Sequence, residues 1–266
     1  QQRSIALTEA NIASSIVAST SPLLIAFYTG IGAGWRGAQL TILLLWTITI
    51  GLKHRQPIPD SPAPRIEQAA VESYRALPRI FWFYLLIVFL LIAAERCLEF
   101  WGADFMKNEV GLSKAQASSA IWAFMIGMLI GRLTVSRFAQ RTPTPRVLLI
   151  STGVALVGFP IFWLSSIPVL TLIGLFVTGL GVSNFFPLSM SLAISAAPDR
   201  ANIASVPALF GSGSATLLAP QVLGWIADQT TIGTAFGLVF VILLLGMGAM
   251  IFANRLGSRH NDALVL

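Results

Sequence analysis

The chain has 266 residues, of which 55% are hydrophobic and 11% charged, and its mean hydropathy is +0.78. Soluble domains carry about 25% charged residues, so the composition excludes an ordinary soluble domain and points to the bilayer. The net charge of +6 needs no nucleic acid to explain it, because the cytoplasmic loops of membrane proteins collect Lys and Arg. Cys97 stands alone, which excludes an internal disulfide and a cysteine-based metal cluster; it reads as a small core residue.

A helix needs about 20 mainly apolar residues to cross a bilayer. Eight candidate spans lie near 10–28, 36–52, 80–101, 117–136, 147–165, 167–191, 202–225 and 232–253. They are too long for barrel strands and show no strict alternation, so the expected fold is all-α, a polytopic transmembrane helical bundle. The first span holds the small, polar stretch ASSIVASTSPLL at 13–24, and TGIGAGWRG at 29–37 breaks it from the second. Residues 52–79 then hold five of the fourteen prolines and five basic residues. PIPDSPAP cannot form a regular helix, whereas 66–76 reads either as a short surface helix or as a solvated loop. This segment is the expected boundary, giving 1–52, a linker at 53–79, a six-span unit at 80–253 and a tail at 254–266.

The third span has no charge from Ile80 to Ala94, and then Glu95, Arg96 and Glu99 arrive within little more than one turn. Glu95 and Glu99 share a helix face, and Arg96 can pair with Glu99. On these boundaries Glu95 lies about 7–8 Å outward of the span's centre, with Glu99 close to the outer interface. Carboxylates inside bundles often serve as relays. Two readings stay open: a proton or substrate site, or an ion pair and outer gate. The fourth span ends GMLIGRLTVSRFAQR, which clusters Arg132, Arg137 and Arg141. The sixth carries GLGVSNFFPLS. There Asn184 can donate and accept hydrogen bonds, Gly179 and Gly181 allow close helix approach, and Pro187 removes a backbone donor. The seventh carries FGSGSATLLAP, where Gly211, Gly213 and Pro220 suit either packing or a hinge. With the N-terminus assigned to the cytoplasm, thirteen basic residues fall on that side and three opposite, with Arg96 inside a span. Both ends are therefore expected inside.

These features together resemble the major facilitator superfamily. GMLIGRLTVSRFAQR is similar to the family's cytoplasmic signature, in which Gly-x-x-x-Gly-Arg leads into a basic loop. Here Ser136, Phe138 and Gln140 replace the usual glycine, leucine and acidic residue, and Arg141 is kept. APQVLGWIAD resembles the family's penultimate helix, and GAGWRGAQL the break before its sixth. The resemblance implies that the eight spans are family helices five to twelve, with the first four absent from this chain. It also implies that the spans at 80–101 and 167–191 line a central cavity, and that the second, fifth and eighth spans face lipid most fully. A Glu followed by Trp101 is similar to the pattern of fucose-permease-like members.

The function implied is secondary transport of a small solute by alternating access, coupled to protons, in the plasma membrane. Glu95 and Asn184 are candidates for substrate or proton coupling, Arg96 and Glu99 for an ion pair or outer gate, and Arg132, Arg137 and Arg141 for a cytoplasmic gate. The expected partners are the lipid bilayer, a small-molecule substrate and the missing N-terminal helices. No cofactor, metal or nucleic acid is expected. Two alternatives stand beside this reading: an incomplete or non-transporting partner subunit, and a membrane-embedded enzyme, which the sparse set of ionisable residues disfavours.

Overall fold

The computed structural model describes residues 24, 27–28, 30–32, 34–55, 74, 77–138 and 142–263. The chain divides into two units, Gln1–Pro64 and Arg65–Leu266. In the first, Gly32 and Gly34 take positive φ values of 80° and 65°, a conformation open to glycine. They turn the chain into α1, Gly34–Arg55. Tyr28 closes over that turn: its hydroxyl lies 2.7 Å from the Thr41 hydroxyl, and its ring occupies the space that a Cβ at Gly37 would need. The expected span at 10–28 lies almost wholly outside the described residues, as does most of the linker.

The second unit is built of helices α2 (Arg79–Asn108), α3 (Lys114–Phe138), α4 (Thr144–Leu164), α5 (Pro168–Val182), α6 (Phe185–Ser195), α7 (Ala201–Gln229) and α8 (Ile232–Ala263). A short 3-10 turn, Pro198–Arg200, precedes α7. Taking α5 and α6 as one broken span, six helices among the described residues are long and apolar enough to cross a membrane. The apolar part of α1, Arg36–Leu52, is shorter. The tail expected from residue 254 is helical as far as Ala263.

Several helix ends are set by local chemistry. Beyond α2, Gly111 has φ 76° and the Leu112 N–H donates back to the Met106 carbonyl at 3.2 Å. Ser113 and Gln116 then form a reciprocal capping box at the start of α3, with bonds of 3.0 and 3.3 Å. At α8, the Thr231 hydroxyl accepts from the Thr234 N–H, and the Glu109 carboxylate accepts from the Gly233 N–H at 2.9 Å. An acidic group suits a helix N-terminus, where backbone N–H groups lack partners. Glu109→Ala should cost about 0.5 kcal/mol and speed hydrogen exchange at the Gly233 amide selectively, leaving mid-helix α8 amides unchanged.

The core forms where α2, α4 and α8 meet. Phe105 sits 4.7 Å from Phe162 and 4.8 Å from Phe236 between ring centroids, and Phe159 stacks on Phe236 and Phe240. The Trp163 indole donates to the Gly233 carbonyl at 2.7 Å, which pins α4 to α8. Cys97 is fully buried in α2 and unpaired. The helices pack closely because small residues let backbones approach. A Cβ at Gly158 or Gly174 would meet backbone across the α4–α5 crossing, and one at Gly127 or Gly131 would meet α5 from α3.

Exposure does not single out the fifth and eighth spans as the most lipid-facing helices. α4 buries a full face, Val147 through Phe162, against α5 and α8. The least buried of the six is α3, where Trp122, Ile126, Leu129 and Leu133 are exposed.

Candidate functional site

The three charges of α2 lie further from its end than the sequence boundaries imply. The apolar pattern continues through Phe100, Trp101, Phe105 and Met106, so the helix runs seven residues past the expected end, to Asn108. Glu95 is thus about 2 Å from the midpoint of α2, and Glu99 is about 13 Å from its end. The indole of Trp101 donates to the Pro220 carbonyl at 2.8 Å and lies against Gly224, holding α2 to α7 just beyond the charges.

Glu95 is 3% exposed, while the Arg96 and Glu99 side chains are 30% and 20% exposed. One guanidinium bridges the two acids: Arg96 Nη1 pairs with Glu99 Oε2, and Nη2 lies 3.3 Å from Glu95 Oε1. Its Nε is buried and has no hydrogen-bond partner among the described residues. Arg132 of α3 is exposed and forms no ion pair with either acid; its charge acts on them from a greater distance.

The anchor of Arg132 follows from a proline. Pro187 has no N–H, so the Ser183 carbonyl four residues before it loses its helical donor. The helix breaks there, α5 ending at Val182 and α6 starting at Phe185. The Arg132 Nε donates to that freed carbonyl at 3.2 Å, where a cation also suits the α5 C-terminus. Asn184, buried in the break, donates through Nδ2 to the Ser183 hydroxyl at 2.8 Å and the Gly131 carbonyl at 3.3 Å. Pro187 itself is exposed.

The structure therefore gathers Glu95, Arg96, Glu99, Arg132 and Asn184 around the α2, α3 and α5–α6 contact. It separates the arginines that the sequence groups together. Arg137 is exposed beside Ile130, Leu133 and Thr134, and Arg141 lies outside the described residues. Gly179 abuts the Phe124 carbonyl of α3, and Gly181 abuts Ala155 of α4. Gly211 faces Leu85. Gly213 is exposed with open space where a Cβ would stand, so packing does not explain it. Pro220 is buried within α7. Ser183 was not singled out from the sequence, although its spacing from Pro187 carries the signal. Among the described residues no three His, Cys, Asp or Glu side chains converge to hold a metal.

The arrangement is an ion-paired group of two carboxylates and one guanidinium near the middle of α2, with the exposed Arg132 nearer the end of α3. It can hold a proton, exchange ion-pair partners and hydrogen-bond a polar ligand.

Comparison with known proteins agrees with this architecture. The sequence profile described as Major Facilitator Superfamily matches residues 100–264. An uncharacterized MFS-type transporter of Yersinia pestis is 30% identical over 159 residues, covering 59% of this chain and 41% of its own length. The glucose/mannose transporter of Bacillus subtilis is 28% identical over 134 residues, covering 48% of this chain and 32% of its own length. The chain thus spans less than half of the curated relatives it matches. Among solved structures, the E. coli fucose:proton symporter superposes with TM-score 0.64 at 18% identity, covering 85% of this chain and 58% of that one. An outward-conformation structure of the fucose transporter gives 0.65 at 18% identity, covering 90% and 60%. At that identity the likeness concerns the fold. With the profile matched over more than half its length and six membrane-length helices, the chain is a multi-pass membrane protein and belongs to the major facilitator superfamily.

Proposed function

We propose that the chain forms part of a secondary transporter, its last six spans and the two before them, which moves a small solute by alternating access and couples it to protons. Four further helices of the same protein complete it. It lies in the plasma membrane with both ends of this chain cytoplasmic, as the distribution of Lys and Arg favours. The observation that carries the reading is the burial of Glu95 at the midpoint of an apolar helix, at 3% exposure. Ionisable residues at that depth are expensive and mark proton or substrate pathways.

Glu95 acts as the proton-coupling group. Protonation releases Arg96 Nη2, while Nη1 stays on Glu99. Arg132 links the same charges to the α5–α6 break, and interrupted helices of this kind form sites in transporters. A change of charge at Glu95 thus reaches two helices at once. The names of the relatives, a glucose/mannose transporter and a fucose:proton symporter, place hexoses first among solutes to test. The test is uptake by the full-length protein in proteoliposomes under an inward proton gradient, over a panel of sugars, organic acids and drug-like cations. Glu95→Gln should remove gradient-driven uptake by about a hundredfold, the scale of a general acid–base contribution. Unchanged uptake and pH dependence would make Glu95 a bracing residue.

A further inference from the structure

We propose that the six-span unit flexes within itself at Ser183–Asn184, so that α6 moves with α2 and α7 while Arg132 holds the end of α5 to α3. The use of this hinge rests on the transport reading. The hinge itself is a mechanical property that can be measured without transport.

The first support is how the helices group. α5 packs against α4 and α3, whereas α6 packs against α2 and α7 and more lightly against α4. One broken span therefore belongs to two packing groups, α3–α4–α5 and α2–α6–α7, and α8 sides mainly with the second. The first group is the stiffer. Among the described residues, the glycines whose Cβ positions press on neighbouring backbone are Gly127, Gly131, Gly158, Gly174, Gly179 and Gly181, and all lie on crossings within that group. In the second group Gly211, Gly224 and Gly246 meet only side chains, those of Leu85, Trp101 and the α2 leucines. At one end of the bundle the groups are tied by Phe105, Phe162 and Phe236 and by the Trp163–Gly233 bond. Toward the other end, α4 meets α8 through the side chains of Met247 and Met250, which are unbranched and adaptable.

The second support is the chemistry of the break. Pro187 leaves the Ser183 carbonyl without its helical donor, and Asn184 takes φ −121° and ψ 16° between the two helices. The groups that satisfy the break come from α3. Arg132 Nε donates to the Ser183 carbonyl at 3.2 Å, and the Gly131 carbonyl accepts from Asn184 Nδ2 at 3.3 Å. Beyond Asn184, no hydrogen bond among the described residues ties α6 to α3. The end of α5 is thus clamped, and α6 pivots just past it. Hinges are a few element-terminal positions that absorb the backbone change. Arg132 is a positioning residue here, bonded to α5 and not to the α2 carboxylates. Because α2 moves with α6, the motion carries Glu95 with it.

The test uses the full-length protein in nanodiscs, with spin-label pairs read by double electron–electron resonance. Ser136 of α3 and Ser195 of α6, both exposed, form the pair across the groups. Ser136–Ile173 and Ser195–Trp225 are the controls within each group. The expected result is a broad or two-peaked distance distribution for the cross pair and one narrow peak for each control. Pro187→Ala gives the Ser183 carbonyl a helical donor and narrows the cross pair to one peak. Arg132→Gln lowers Tm by roughly 2–4 °C, the scale of one hydrogen bond in a unit of this size. Pro187→Ala in that background restores it, because the new amide serves the same carbonyl. A cross pair as narrow as the controls, unchanged by Pro187→Ala, would show a rigid unit and overturn the hinge. Controls as broad as the cross pair would place the motion throughout the unit and overturn it as well. A loss in Arg132→Gln that Pro187→Ala does not repair would overturn the clamp. The distances are read without solute, so failure of the transport reading leaves the hinge to be decided by them alone.

Discussion

Arg96→Met is expected to destabilise the protein by about 3 kcal/mol, at the lower end of the cost of breaking a buried ion pair because the Arg96 side chain is 30% exposed. For a unit of this size that corresponds to a fall of roughly 6–12 °C in Tm, measured by thermal unfolding in detergent. The cause is what remains. The substitution leaves Glu95, at 3% exposure, and Glu99 facing each other without the guanidinium that bridges them. Met fills similar volume, so cavity formation contributes little. Adding Glu95→Gln and Glu99→Gln should restore most of the loss, since apolar or neutral replacement of a whole ionic group is often close to neutral. A triple variant as unstable as Arg96→Met alone would show that the alkyl stem of Arg96, not its charge, carries the effect.

Gly174→Val is expected to cost about 3 kcal/mol or more, beyond the usual range for overpacking. A Cβ at Gly174 would meet the backbone nitrogen of Phe162 and lie 2.7 Å from the carbonyl carbon of Ile161. Backbone cannot rotate away as a side chain can, so α4 and α5 would have to separate. Gly213→Ala is the matched control. It stands in open space on α7, and alanine should raise helix stability by up to about 1 kcal/mol. Equal losses at both positions would mean that the α4–α5 crossing is not the tight contact described. Thermal unfolding of the two variants side by side decides this.

Much of this fold is legible in the sequence because the bilayer imposes a simple rule. Backbone groups must bond within the span, so apolar runs of about 20 residues announce the helices, and the turn residues between them announce the breaks. Boundaries are harder. α2 runs on to Asn108 because its aromatic residues continue the pattern, and that shift leaves Glu99 well inside the helix and not near its end. The site is half legible. Glu95, Arg96 and Glu99 stand out as charges in an apolar run, and Pro187 as a helix breaker.

What the sequence does not show is that Arg132 reaches the carbonyl freed by Pro187, 51 residues away along the chain. Nor does it separate Arg132 from Arg137, which look alike at one helix end. Helix phase decides between them. Both are exposed, but Arg132 directly follows Gly131, whose backbone meets α5, and reaches the Ser183 carbonyl, whereas Arg137 lies a turn further on. Likewise Gly211 and Gly213 share a small-residue stretch, yet only the first faces a neighbouring helix.

The most direct test of the central claim, that Glu95 couples protons to the solute, is counterflow against accumulation in Glu95→Gln proteoliposomes. Counterflow exchanges labelled for unlabelled solute with no gradient and needs only a working site and alternating access. Accumulation needs the proton. The account predicts that Glu95→Gln retains counterflow within a few-fold of wild type and loses gradient-driven accumulation. Accumulation that survives in Glu95→Gln with the wild-type pH dependence would contradict it, and would leave the buried carboxylate as a brace for Arg96.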